Sequence, residues 1–416
     1  MDYVIYSLGT YGDNLPFIKL ASELKKRGRE VAFVGNDKFE GLCSSKNIHF
    51  ISVSSAKEYE DTYGDLATWS STHSKNHYIE FHLPALQKSY NAIEKLVNAG
   101  HRPHLIYQDI FSGANLAAEK FRLKRTKVAL APSAVFSAVS PPFPLRTQIM
   151  EKDWVEGMAI VKEKAKISSL KKIVDPYLNP IRKGLGLDEI ALNNINELDQ
   201  CDNYLGLFPS WLKPRPKDWP ENFVTCGFPF TTGSPTALSV EVENFLTRYE
   251  KPIVATFGSG LPPTRGNITK LSKIGKKLGK GVIFVSPKQP SERAYGEDEN
   301  LLIIREADYS CLFPKAGLIM HHGGIGTTAD SIQAGIPQLI TPFNFDQPDN
   351  AFLIYELGLG NAVQFMEASV PEIAQQAAAI INDPQIAKNC HDHKQRFFNE
   401  DGVNNAANQI ENTLKE

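Results

Sequence analysis

The residues best suited to chemistry lie in one short stretch, His321-His322-Gly323-Gly324-Ile325-Gly326-Thr327-Thr328. The apolar run Ala316 to Met320 before it predicts a buried strand, and the periodic segment after it predicts a helix. A turn that opens a helix gathers unbonded N–H groups and the positive end of the helix dipole at one point. Gly323, Gly324 and Gly326 let an anion approach the main chain, Thr327 and Thr328 add hydroxyls, and His322 adds a ring donor. A dipole contact contributes roughly 0.3–1 kcal/mol, whereas each hydrogen bond to a charged group contributes roughly 1.5–3 kcal/mol. Convergent donors therefore dominate, and a multiply charged diphosphate is the expected ligand. The plainer alternative is a strand–turn–helix connection whose glycines serve only the turn.

Downstream spacing favours the ligand. Asp330 falls one to two turns into the predicted helix, within reach of ribose hydroxyls. Ile336 to Pro342 predicts the next buried strand, and Asn344-Phe345-Asp346-Gln347 sits at its carboxyl end, where open α/β sheets bind ligands. A carboxylate beside a carboxamide suits the hydroxyls of a sugar. Upstream, Pro252 to Phe257 predicts a strand ending in Gly258-Ser259-Gly260, a turn able to touch a phosphate or the sugar.

From His322 to Gln347 the chain resembles the donor-sugar signature of family 1 nucleotide-sugar glycosyltransferases. His322, Gly324, Gly335, Pro337, Pro342, Asp346 and Gln347 match without gaps, with Asp330 where that family has Glu. The resemblance implies an α/β protein of two Rossmann-like domains facing a cleft, the GT-B fold. It implies that His322 and the Gly326–Thr328 turn hold the diphosphate, Asp330 the ribose, and Asp346 with Gln347 the sugar. The prolines of 209–229 and the run Asp346-Gln347-Pro348-Asp349-Asn350 are similar to the bacterial subgroup that includes sterol glucosyltransferases and the rhamnolipid rhamnosyltransferase.

The first predicted strand, Tyr3 to Leu8, runs into Gly9-Thr10-Tyr11-Gly12-Asp13-Asn14-Leu15-Pro16. Asp13 is a suitable helix cap, with Pro16 in a first turn. In relatives with Gly-His at this turn the His is the general base; here Asp13 takes that position, and the resemblance makes it the base for an acceptor hydroxyl. An ordinary Asp, with pKa about 3.9, is ionised at pH 7 but is a weak base. Asp109 ends the strand from Leu105, where His-type members keep the acid that orients the His; beside Asp13 two carboxylates would repel, so Asp109 is left to bond the Gly9 loop or bind acceptor. Gly12, His82, Phe136 and Phe143 are the candidates for the acceptor side. The last two lie in a proline-rich loop, Ser133 to Pro144, that either roofs an apolar pocket or packs on its domain. His77 and His82 lie in a segment placed to border the acceptor cleft, but the plainer reading of each, as an ordinary surface or core histidine, is the favoured one.

The 416 residues predict two domains, with 42% hydrophobic and 22% charged residues as in ordinary globular chains. A net charge of −2 gives no basic field for nucleic acid. Five scattered cysteines predict reduced, buried thiols. Without a signal-type core or a run of about 20 apolar residues, the expectation is a cytoplasmic chain with no integral membrane segment. Cys390-His391-Asp392-His393 places its histidines two apart on a helix, where they diverge, so no metal and no cofactor beyond the nucleotide-sugar co-substrate is expected. Alternating strands and helices predict parallel sheets, with a polar interruption at Ala56 to Asn76. The expected organisation is an acceptor domain over 1–215, a linker over 216–236, a nucleotide-sugar domain over 237–395, and a helix over 396–416 returning to the first domain. The reading is an inverting transferase moving a hexose from a donor of UDP-glucose or dTDP-rhamnose type to a hydrophobic small-molecule or lipid-like acceptor. A nucleotide-sugar epimerase of the same fold and a non-catalytic sugar-nucleotide-binding partner protein are the alternatives.

Overall fold

The computed structural model describes residues 1–63, 82–108, 112–135, 137, 140, 171–172, 174–190, 201–230, 237–258, 263–287 and 298–413. The chain divides into two compact units: described residues up to 230 and from 401 onward form the first, and those from 237 to 400 the second.

The first unit holds a seven-stranded sheet in the order β3-β2-β1-β4-β5-β6-β7. Its strands are β1 (Tyr3–Tyr6), β2 (Val31–Asn36), β3 (His49–Ser54), β4 (His104–Tyr107), β5 (Arg125–Ala129), β6 (Asn203–Gly206) and β7 (Phe223–Thr225). All are parallel, with β1 pairing β2 from Tyr3↔Val31 and β4 from Tyr3↔His104. Every residue of β1 is buried, as a central parallel strand covered on both faces requires.

The second unit holds six parallel strands in the order β10-β9-β8-β11-β12-β13. These are β8 (Ile253–Thr256), β9 (Val282–Val285), β10 (Leu301–Ile304), β11 (Leu318–His321), β12 (Gln338–Ile340) and β13 (Gly360–Ala362). Side chains alternate between two cores: Ile253, Ala255, Leu318 and Met320 enter one, Val254 and Ile319 the other. That two-sided burial fixes the register and so the direction in which each strand end points.

Several elements differ from expectation. The first helix is Tyr11–Lys26: Thr10 rather than Asp13 is its N-cap, and Pro16 lies inside it rather than in its first turn. The polar interruption begins with a helix, Ala56–Tyr63, whose Tyr59 and Tyr63 are buried. The segment 216–236, read as a linker from its prolines, contains β7 of the first sheet. The last helix, Gly402–Thr413, packs on the first unit: Arg27 Nη1 and Arg29 Nε meet Glu411 at 3.0 and 2.6 Å, and a Cβ on Gly402 would stand 2.3 Å from the Phe228 carbonyl oxygen. The five cysteines form no disulfide; Cys43, Cys226 and Cys390 are buried, whereas Cys201 and Cys311 are partly exposed.

Candidate active site

At the end of β11 the chain turns into the helix Ile325–Ala334, whose N-cap is Gly324 and whose start carries no side-chain cap. Gly323 adopts φ +90, and a Cβ there would lie 2.8 Å from Ile340 and 3.0 Å from the Gln347 carbonyl oxygen, so only glycine fits. Its N–H donates to His321 Nδ1 at 3.1 Å, and His321 Nε2 meets Gln338 Oε1 at 2.8 Å. With Nδ1 accepting, the proton is assigned to Nε2; burial accordingly holds His321 at about 3. His321 is thus the buried support of the turn, a role the sequence did not disclose.

Among the described residues nothing accepts from the amides of Gly324, Ile325, Gly326 or Thr327. They are the unbonded donors that the start of a helix presents. Thr328 is different, and here the expectation of a hydroxyl donor is corrected. Its N–H and its Oγ1 both donate to the Gly324 carbonyl at 3.0 Å, back-bonding within the helix, and the residue is buried.

His322 lies between two glycine turns. A Cβ on Gly324 would stand 2.5 Å from its Nε2, and one on Gly258 3.3 Å. The structure therefore brings Gly258 to His322 and the helix start. Burial pushes His322 down to about 4, opposed by a hydrogen bond to the Thr256 carbonyl, so the ring is neutral at pH 7. Asp330, on the same helix, is close enough for its charge to help raise the Tyr309 hydroxyl, which burial chiefly drives to about 12. That hydroxyl meets Thr256 Oγ1 at 2.9 Å. Asp308 instead caps a short helix, accepting from the Ser310 N–H at 2.9 Å.

After β12 the loop reaches Asp346 and Gln347 at the start of the helix Gln347–Glu356. Gln347 is buried, and its Oε1 accepts from the N–H groups of Phe343 and Asn344 at 2.8 and 3.1 Å. Its carboxamide holds the loop and leaves Nε2 as the side chain's donor. Asp346 Oδ2 accepts from Asn350 Nδ2 at 2.7 Å. Gly335, part of the sequence signature, is the left-handed residue that ends the helix Ile325–Ala334, with φ +73.

In the first unit Asp13 is the third residue of its helix, and its carboxylate reaches back to the cap. Thr10 N–H and Oγ1 donate to Oδ2 at 2.8 and 2.9 Å. Gly9, at φ +125, makes this possible: a Cβ there would come within 2.5 Å of that oxygen. Burial raises the Asp13 pKa above the ordinary carboxylate value, against hydrogen bonds from Thr10 and the Gln108 side chain. The supporting roles of Thr10 and Gln108 escaped sequence reading because each acts on Asp13 only through turn geometry or the neighbouring strand end. Gly12 is exposed beside Asp13, and His82 is partly buried at the start of the helix Leu83–Asn98, with burial holding its pKa near 4. Asp109, Phe136, Phe143, Ser259 and His77 lie outside the described residues. Among the described residues no cluster suited to a metal occurs, and no helix is long and apolar enough to cross a membrane.

Residues 298–408 match the erythromycin biosynthesis protein CIII-like C-terminal domain. Over 99% of its length the chain is 24% identical to an O-mycaminosyltylonolide 6-deoxyallosyltransferase of Streptomyces fradiae, covering 97% of that protein. Over 46% of its length it is 28% identical to a sterol 3-beta-glucosyltransferase of Arabidopsis thaliana, covering 31% of it. The fold matches the solved glycotransferase of kitacinnamycin at TM-score 0.75, with 16% identity and coverage of 99% and 98% of the two chains. It matches the glycosyltransferase VinC, solved with dTDP, at TM-score 0.68 with 14% identity over the whole of both chains.

Two parallel α/β domains, each Rossmann-like, define a GT-B protein. In its donor signature and its relatives, the chain is similar to family 1 glycosyltransferases of the natural-product type.

Proposed function

We propose that the protein transfers a hexose, from a nucleoside diphosphate sugar of UDP-glucose or dTDP-rhamnose type, to a hydroxyl of a hydrophobic small-molecule or lipid-like acceptor, with inversion. The observation that carries this reading is the uncapped helix start at Gly324–Thr327, four unbonded amides beside His322, with Asp346 and Gln347 at the next strand end. Those amides and His322 take the diphosphate, Asp330 the ribose, and Asp346 with Gln347 Nε2 the sugar hydroxyls.

The acceptor oxygen bonds to the anomeric carbon as its proton passes to the Asp13 carboxylate. The bond from that carbon to the diphosphate oxygen breaks, and its electron pair leaves with the diphosphate. Fixed amides stabilise this charge because they need no reorganisation as it develops. The raised pKa of Asp13 makes its carboxylate a better base than an ordinary one. No metal is assigned a role. The Streptomyces fradiae relative, a deoxyallosyltransferase by name, supports a deoxyhexose as a candidate cargo.

The test is mass spectrometry of products from UDP-glucose and dTDP-rhamnose with mixed hydrophobic alcohols and phenols, with and without chelator. Glycosides of inverted configuration, formed equally in both conditions, are expected. Donor conversion without acceptor would instead indicate an epimerase.

A further inference from the structure

Asn350 lies on the helix Gln347–Glu356 and is 1% exposed. Its Nδ2 donates to the Gly323 carbonyl at 2.8 Å and to Asp346 Oδ2 at 2.7 Å. Both neighbours are acceptors only, so the amide orientation is forced. The cost is visible: Asn350 Oδ1 is buried with no partner, and an unsatisfied buried acceptor in a native structure calls for a reason. The Gly323 it holds is the glycine whose N–H is fixed by His321, immediately before the uncapped helix start. Asp346 is the carboxylate at the neighbouring strand end. One buried amide thus ties two strand-end turns together, β11 to β12.

We propose that Asn350 is a positioning residue that couples the diphosphate turn to the sugar carboxylate, so that filling one subsite sets the geometry of the other. This rests on the reading of those two turns as the donor site. Asn350 touches no reacting atom; it acts through Gly323 and Asp346. Two hydrogen bonds from one planar group fix the distance between its acceptors more tightly than two independent partners would. The ionisable groups tied to it are Asp346, which caps its helix and accepts from it, and His321, which holds the same Gly323; Asp349 is its neighbour in the chain.

The test compares wild type with Asn350→Ala, Asn350→Asp, Asp346→Ala and the Asn350→Ala/Asp346→Ala double variant. Steady-state transfer from the productive nucleotide sugar is measured across pH, and nucleoside diphosphate and nucleotide sugar binding by calorimetry. Asn350→Ala is expected to lower kcat/KM at least about tenfold while nucleoside diphosphate binding changes by no more than about threefold; the double variant falls little below the worse single one, as coupled residues do. In Asn350→Asp a carboxylate replaces the donor against Asp346, and activity relative to wild type rises as pH falls, because one proton shared by the pair restores a donated hydrogen bond. Since Asp is nearly isosteric with Asn, this arm stands even if Asn350→Ala folds poorly. Additive losses in the double variant, or parallel pH profiles for wild type and Asn350→Asp, overturn the coupling. A wild-type protein that binds neither nucleotide sugar nor nucleoside diphosphate overturns the donor-site reading and the coupling with it.

Discussion

Gly9-Thr10-Tyr11-Gly12-Asp13-Asn14 and Gly323-Gly324-Ile325-Gly326-Thr327-Thr328 are built on one plan. Each follows a central strand of a parallel sheet and opens a helix. In each the first glycine has positive φ, +125 at Gly9 and +90 at Gly323, and the third helical position is four residues further on. In each the sixth side chain bonds back to the turn: Asn14 Nδ2 to the Gly9 carbonyl at 3.0 Å, and Thr328 Oγ1 to the Gly324 carbonyl at 3.0 Å. They differ at the third helical position. Asp13 returns a carboxyl group to the N-cap amide of its own helix, whereas Thr327 makes no such bond and leaves the Gly324 amide open. One turn therefore presents a carboxyl group and the other unbonded amides, the division of labour that the proposed function assigns to a proton acceptor and a leaving-group site.

The largest expected effect comes from removing the carboxylate. Asp13→Asn keeps the size of the side chain but cannot take a proton, so kcat falls by about 10²–10⁴-fold, measured by product formation at saturating donor. In wild type the acid limb of kcat/KM should lie above the range of an ordinary carboxylate, since burial raises the Asp13 pKa and the base is lost as pH falls through it.

The comparison is sharpened by making the second turn resemble the first. Thr327→Asp places a carboxylate at the position equivalent to Asp13. It should steady the helix by roughly 0.3–1 kcal/mol and weaken nucleoside diphosphate binding roughly tenfold or more by occupying the Gly324 amide and placing a negative charge beside the others. A rise in unfolding temperature together with weaker binding in calorimetry is the expected pair of results.

Next in size is Gly9→Ala. A Cβ 2.5 Å from Asp13 Oδ2 and an alanine forced to φ +125 displace the carboxylate and destabilise the fold by about 1–3 kcal/mol. Denaturant unfolding reads the loss, and kcat should drop with KM for the donor little changed.

The smallest effect concerns neither turn alone. His104 and His321 are buried and held at about 4 and about 3, chiefly by burial. As pH falls below the ordinary histidine value of 6.5, the unfolded chain binds protons that the folded chain refuses, so stability falls with pH down to about 4. The unfolding midpoint should decline over that window, and less so in His104→Asn, whose ring contact with Thr126 Oγ1 at 2.8 Å is replaced by a group that does not titrate.

How far the sequence carried this account depends on the element. The strands Tyr3–Tyr6 and Ile253–Thr256 were legible to within two residues, each as a buried apolar run. β13 was not: Gly360-Asn361-Ala362 has no apolar pattern, pairs through its backbone, and needs glycine because a Cβ would lie 1.9 Å from the Gln338 carbonyl oxygen. β7 was hidden by its flanking prolines. The glycines and acids of both turns could be read as candidates from spacing. Their supports could not, because His321, Gln108, Tyr309 and Asn350 matter through partners 17 to 27 or more residues away, or across paired strands. Thr328 misled for the opposite reason: a hydroxyl in a first helical turn looks available, and back-bonding to Gly324 removes it.

The central claim is that the open helix start binds a pyrophosphate. A crystal structure with a bound nucleoside diphosphate tests it most directly. The expected result is phosphate oxygens about 2.7–3.2 Å from the amide nitrogens of Gly324 to Thr327. Diphosphate bound elsewhere, with those amides facing only solvent, would contradict it.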